Sequence, residues 1–212
     1  MTEQLEDYIL DHIDAEGDLL SRLDRETHLY HLRPRMCSGH LQGKLLKMFV
    51  RMIHPRRILE LGTFTGYSAL AMAEGMTPDA ELHTIEIDDE LEDFIRAHFE
   101  QAPAADRIHL HIGDAREVIA QVGGQFDLVF MDANKRQYLE YYNLVFDYVA
   151  PDGFIIADNT LWDGKVVDFG KKLDAQTAGI LEFNDFVARD ERVEKVIVPL
   201  RDGLTLIHKL PE

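Results

Sequence analysis

From Arg56 to Asn159 the chain alternates two patterns. Short apolar runs, "RRILELG", "ELHTIEI", "RIHLHIGDA", "FDLVFMD" and "GFIIADNT", are separated by longer stretches whose apolar residues recur at helical spacing, "SALAMAEGM", "DDELEDFIRAHFEQA", "REVIAQV" and "KRQYLEYYNLVFDYVA". The first kind predicts strands, the second helices. Their alternation builds a parallel sheet with helices on both faces, an α/β fold. After Asp158 a loop, "NTLWDGKVVDFGKK", leads to a helix around Ile180 to Ala188. Two final strands, "VEKVIVPL" and "LTLIHKL", meet at Asp202-Gly203. That turn predicts an antiparallel C-terminal hairpin at the sheet edge, giving seven strands. Upstream, Leu5, Ile9, Ile13, Leu19, Leu20 and Leu23 predict one or two helices outside the main fold, broken at Gly17. Residues 29 to 39, with Pro34 and Gly39, read as a loop, and 40 to 53 as a helix that Pro55 stops. The expected organisation is one domain over 1–212 with a helical extension at 1–39.

A chain of 212 residues, 46% hydrophobic, can bury a sizeable core. Its formal net charge of -17 repels polyanions, which argues against a nucleic acid or an anionic membrane surface as partner. One cysteine, Cys37, excludes an internal disulfide and a thiolate-rich zinc site. The first thirty residues are dense in charge and no stretch approaches the ~18 apolar residues of a membrane span, so a cytoplasmic protein is expected.

Ligands of such sheets sit outside the carboxyl ends of the strands. "ELGTFTGYS", residues 60 to 68, joins the first strand to its helix, and Gly62 and Gly66 permit close approach of a ligand to backbone and helix amides. It is not a phosphate-binding fingerprint, and Glu60 before the glycines would repel a pyrophosphate and suit a positive centre. Glu86 ends the second strand where a ribose diol would be held, and Asp114 ends the third near an adenine ring. A ligand with adenosine, an amino-acid tail and no phosphate fits all three: S-adenosylmethionine.

A second group lies further along. Asp132, Asp158 and Asn159 offer hard oxygens from two strand ends, favouring magnesium, manganese or calcium over zinc. Lys135 follows Asp132 by one helical turn. Beside a divalent cation the neutral amine is favoured, which suits a general base, while the cation acidifies a bound hydroxyl.

Several ordered motifs together resemble the cation-dependent class I O-methyltransferases, the group of catechol O-methyltransferase and the plant caffeoyl-coenzyme A enzymes. They run from "RPRMCSGHLQGKLL" through "ILELGTFTGYSALAMAEG", "HTIEID", "GDA", "DLVFMDANKRQYLEYY" and "PDGFIIADNTLWDG" to "VPLRDGLTL". The resemblance implies a Rossmann-like methyltransferase fold. It implies that Glu60, Gly62, Phe64 and Ser68 line the methionine part of the cofactor, with Met36 and Ser38 approaching from the N-terminal loop. Glu86 would bind the ribose, and Asp114 and Ala115 would flank the adenine. Asp132, Asp158 and Asn159 would hold the cation, and Lys135 would deprotonate a small catechol-like diol chelated through both oxygens. A homodimer is implied as well.

One departure concerns the acceptor. Many bacterial and plant relatives carry an acid where this chain has Asn134, and animal catechol enzymes a tryptophan near that place. Trp162 offers either an aromatic wall instead or packing under its loop. Cys37 reads as a packing residue. His109 and His111 share a strand face and read as sheet-packing residues under a helix rather than a metal pair, and Tyr138, Tyr141 and Tyr142 as helix face and core. A rival function is O-methylation of a hydroxyuridine in transfer RNA, which would need a basic track formed by Arg33, Arg35, Lys165, Lys171 and Lys172. A non-catalytic cofactor-binding protein is the other rival, disfavoured because Asp132, Lys135, Asp158 and Asn159 are all present.

Overall fold

Successive residues of a strand point to opposite faces, and β1 (Arg57–Leu61) buries both: Ile58 faces one core cluster, Leu59 and Leu61 another. The computed structural model describes residues 3–168, 170 and 173–211. The remaining strands are β2 (Glu81–Glu86), β3 (Ile108–Ile112), β4 (Phe126–Met131), β5 (Val149–Asp158), β6 (Val193–Val198) and β7 (Leu204–Lys209). They form a seven-stranded sheet in the order β3-β2-β1-β4-β5-β7-β6, in which β7 alone runs against its neighbours. This is the seven-stranded, mostly parallel, Rossmann-like architecture expected.

The helices are α1 (Glu3–Asp11), α2 (Asp18–Tyr30), α3 (Gly39–Ile53), α4 (Tyr67–Ala73), α5 (Glu92–Phe99), α6 (Ala115–Val122), α7 (Tyr138–Phe146) and α8 (Ala175–Arg189). One face of the sheet packs Leu23 of α2, Leu46 of α3, Leu70 of α4 and Ile95 of α5 against Ile58, Leu82 and Phe130. The other packs Ile119 of α6, Tyr142 of α7 and Phe183 of α8 against Leu59, Val129 and Ile155. Among the described residues no helix is long and apolar enough to cross a membrane.

Strand order reverses between β1 and β4, the crevice where open α/β sheets take ligands. Gly62 sits there with φ 92°, and a Cβ on it would lie 2.4 Å from the carbonyl oxygen of Asp132. Only glycine lets the two strand ends meet so closely.

Four features differ from the sequence reading. α2 belongs to the core rather than lying outside the fold: Leu23 is fully buried, and Thr27 donates to Thr65 beneath the glycine loop. α8 begins at Ala175, well before Ile180, because the Asp174 carboxylate caps it by accepting from the amides of Gln176 and Thr177. β5 begins at Val149, with Pro151 and Asp152 bulged out between the Phe126 and Leu128 pairings, so its turn-like residues disguise a strand. His109 and His111 share a face, but among the described residues no helix buries His109, whose side chain is 40% exposed, and the rings group around His83 of β2. α6 packs Val118 and Ile119 in one cluster with Ile85.

Candidate active site

The loop after β1 is tied to the end of β2 by one carboxylate. Glu86 accepts from the amides of Phe64 (2.6 Å), Ile87 (3.0 Å) and Asp88 (2.9 Å) and is buried. These bonds hold Phe64 at φ 50° and leave the carboxylate a spare lone pair on Oε2. Burial raises the Glu86 pKa against those three amides. Glu60 lies deeper, fully buried, with Oε2 accepting from Thr84 and Oε1 without a hydrogen-bond partner among the described residues. Burial pushes its pKa up to about 8, with Ser68 and Thr84 opposing. An orphaned buried carboxylate oxygen is costly, and a cationic ligand group would satisfy it. The donor set therefore fits the ammonium and ribose of S-adenosylmethionine.

Asp132 follows β4 and Asp158 ends β5, on strands paired through Met131 and Ala157. Lys135, in a short 3-10 turn capped by Asn134, is buried and donates to Asp132 Oδ1 (2.5 Å) and to the Tyr138 hydroxyl (2.7 Å). Tyr138 in turn directs its O–H at the carbonyls of Asp158 (2.8 Å) and Met131 (3.1 Å). Asp158 accepts from the Gln42 side chain (2.6 Å) and the Asn159 amide (2.7 Å). Burial first, then the neighbouring Asp132 charge, raises the Asp158 pKa to about 6. Two mutually repelling carboxylates, followed in sequence by the side-chain amide oxygen of Asn159, offer hard-oxygen ligands of the kind that suit a divalent cation of the magnesium, manganese or calcium class.

Asn159 takes a left-handed φ of 60° and turns the chain into the next loop. The β6–β7 turn closes over it, the Thr160 and Leu161 amides donating to the carbonyls of Gly203 and Asp202. From the same turn Arg201 donates to the carbonyls of Cys37 (3.1 Å) and Ser38, drawing the loop before α3 against the site. Ser38 is buried there and Met36 half exposed. Ser68 is buried in α4 below the glycines. Asp114 caps α6 and pairs with the Arg116 guanidinium, which lowers its pKa, while Ala115 is buried beside it. Trp162 is half-buried against the α8-side core with Lys165 over its ring. Cys37 is buried, which pushes its thiol up to about 12. Of the basic track, Lys171 and Lys172 lie outside the described residues.

Sequence reasoning missed Gln42 and Arg201 and took Tyr138 for core alone. Tyr138 carried a signal, standing one helical turn after Lys135. Gln42, distant in sequence from Asp158, carried none. A groove of about 700 Å³ lies at the other end of the strands, lined by Met52, Phe154 and Leu206. Its Asp127 carboxylate is occupied by the amides of Arg56 and Arg57.

A model of the O-methyltransferase family matches residues 11–210. Caffeoyl-CoA O-methyltransferase 1 of Eucalyptus globulus is 32% identical over 196 residues, covering 88% of this chain and 80% of that protein. Caffeoyl-CoA O-methyltransferase 2 of Petunia hybrida is 32% identical over 222 residues, covering 99% and 91%. Among solved structures, the O-methyltransferase from Bacillus cereus in complex with SAH superposes with a TM-score of 0.90 at 26% identity, covering 97% of each chain. TomG from Streptomyces achromogenes, involved in tomaymycin synthesis and bound to SAM, gives 0.90 at 28% identity over 99% of this chain and 100% of its own.

Proposed function

The chain belongs to the O-methyltransferase family and is an S-adenosylmethionine-dependent O-methyltransferase; we propose that its acceptor is a small aromatic vicinal diol, methylated with the help of a divalent cation and Lys135. The observation that carries this reading is the meeting of Asp132, Lys135 and Asp158 at the carboxyl ends of β4 and β5. The plant relatives, named for caffeoyl-CoA, point to the same acceptor class.

In this reading Lys135 receives the proton of the acceptor hydroxyl at Nζ. Asp132 and the Tyr138 hydroxyl fix where that atom stands. Glu60 and Glu86 hold the cofactor's charged tail and ribose, with Gly62 and Phe64 shaping the turn between them, Ser68 below, and Asp114 and Ala115 beside the adenine. Met36 and Ser38 close the cofactor side, held by Arg201. Asp132, Asp158 and Asn159 hold the cation, which when bound acidifies the acceptor hydroxyl and orients the diol. Orientation and electrostatics then account for most of the catalysis. The groove between α3, β5 and β7, lined by exposed Met52, supports a homodimer.

The test is methyl transfer to catechols, caffeoyl-CoA, other hydroxycinnamates and transfer RNA, each with magnesium and with EDTA. Diol turnover that EDTA abolishes is expected. Lys135→Ala should lower kcat by about 10²–10⁴-fold and leave S-adenosylmethionine binding by calorimetry in place. Turnover confined to transfer RNA, or indifferent to EDTA, would overturn the reading.

A further inference from the structure

At the far end of the sheet from Asp132, an open cluster of metal-ligating side chains takes no part in the reaction above. Glu81 and His83 point from alternate positions of β2, and His109 is the register partner of His83 on β3. We propose that Glu81, His83 and His109 form a second cation site, for a borderline transition-metal ion of the zinc class.

The geometry is close to what such an ion requires. One ligand atom from each residue lies within 4.8 Å of the others. Glu81 Oε1 is 3.1 Å from His83 Nε2, and Oε2 is 3.5 Å from His109 Nε2. Zinc bonds of 2.0–2.2 Å in a tetrahedron put donors about 3.4 Å apart, so the contact of Glu81 Oε2 with His109 is already near the bound spacing and His83 Nε2 stands within reach of it. Two imidazoles and one carboxylate match a zinc-class ion better than magnesium or calcium, which prefer all-oxygen shells. The half-exposed His109 leaves a solvent-facing position for water.

The surroundings supply an outer shell. His111 Nε2 lies 3.0 Å from His83 Nδ1. With the proton on Nδ1 and donated to His111, the Nε2 lone pair of His83 faces the ion. Burial lowers the pKa of His83 and of His111, favouring neutral rings. The hydrogen bond from Arg57, above all, holds the Glu81 pKa near 2, so its carboxylate is ionised.

Arg57 is the charge that competes. Its Nε donates to Glu81 Oε1 (2.7 Å) and its Nη2 is 3.3 Å from His83 Nε2. The same guanidinium also donates to the Gly123 carbonyl (2.9 Å) and lies over the Phe126 ring (4.7 Å). Those contacts keep Arg57 seated when His83 turns to an ion, and Glu81 then bridges, Oε1 to Arg57 and Oε2 to the metal. The overall charge of -17 favours cation uptake. Glu81 to Glu86 spans the length of β2, about 16 Å at the usual rise, so this site is separate from the Asp132 cluster.

The experiment is zinc titration of the EDTA-stripped full chain, in excess magnesium, against a chromophoric chelator, with anomalous diffraction at the zinc edge. The wild type, His109→Ala, His83→Gln and an Asp132→Asn/Asp158→Asn double variant are compared. One zinc per chain is expected, kept by the double variant and placed beside Glu81. His109→Ala, at a half-exposed position, should raise the zinc Kd by more than about 100-fold, beyond the loss of an outer-shell partner. Zinc retained by His109→Ala, zinc lost from the double variant, or no stoichiometric zinc at all would each overturn the proposal.

Discussion

Glu60 shows how one buried side chain links ligand binding to pH. Its folded pKa of about 8 stands above the ordinary 4.5, so between those values the native chain keeps a proton that the unfolded chain releases. Native stability of the ligand-free protein therefore falls as pH rises through that window, by ~1.4 kcal/mol per pH unit for one proton. Asp158, raised to about 6, adds to the fall up to that pH. Urea denaturation from pH 5 to 8 should show the decline, and Glu60→Gln should flatten it above pH 6. A cationic cofactor tail beside Glu60 favours the carboxylate, so binding at pH 7 should release a proton. Calorimetry in buffers of different ionisation enthalpy reads that directly. Tyr138→Phe tests the neighbouring cluster: it deprives Lys135 and two strand-end carbonyls of a buried partner. A loss of ~1–3 kcal/mol in stability is expected, together with a lower kcat. At this scale the positions of Glu60, Asp132, Asp158 and Lys135 were legible, the first three at or beside strand ends and Lys135 in the turn after β4, each within a motif. Gln42 was not, since its bond to Asp158 exists only once α3 has packed on the sheet.

At the scale of elements, two glycines control where the loops bearing Asp132 and Lys135 stand. Gly179 of α8 lies against the turn that carries Lys135, and a Cβ there would fall 2.4 Å from the Lys135 carbonyl oxygen and 2.8 Å from Arg136 Cα. Gly179→Ala should push that turn away and lower kcat more than it raises KM for the cofactor, as steady-state kinetics would show. Gly62→Ala combines a positive φ with backbone contact at Asp132, so it should cost more than the ~1–2 kcal/mol of the left-handed conformation alone. Strand and helix order was readable because short continuous apolar runs give way to stretches with helical apolar spacing at each boundary. The start of β5 was not, because Pro151, Asp152 and Gly153 look like a turn and are a bulge within a paired strand. Nor was the start of α8, where Asp174 sets the boundary by capping rather than by hydrophobic pattern.

Across the whole molecule the formal charge of -17 opposes compactness. Added monovalent salt should therefore raise Tm, by screening repulsion between exposed carboxylates. A Tm indifferent to salt from low to physiological strength would show that pairs such as Arg57–Glu81 and Arg192–Asp190 already balance the surface. The sheet order has a consequence of another kind. β7 follows every other strand in the chain, yet it lies inside the sheet, between β5 and β6. During synthesis β5 thus waits with one edge unpaired while the loop, α8 and β6 emerge. A nascent chain halted before Leu204 exposes that edge, the kind of surface that chaperones shield and other strands capture. The turn bearing Arg201 forms in the same step, so the N-terminal loop it fastens is secured only when translation has passed both.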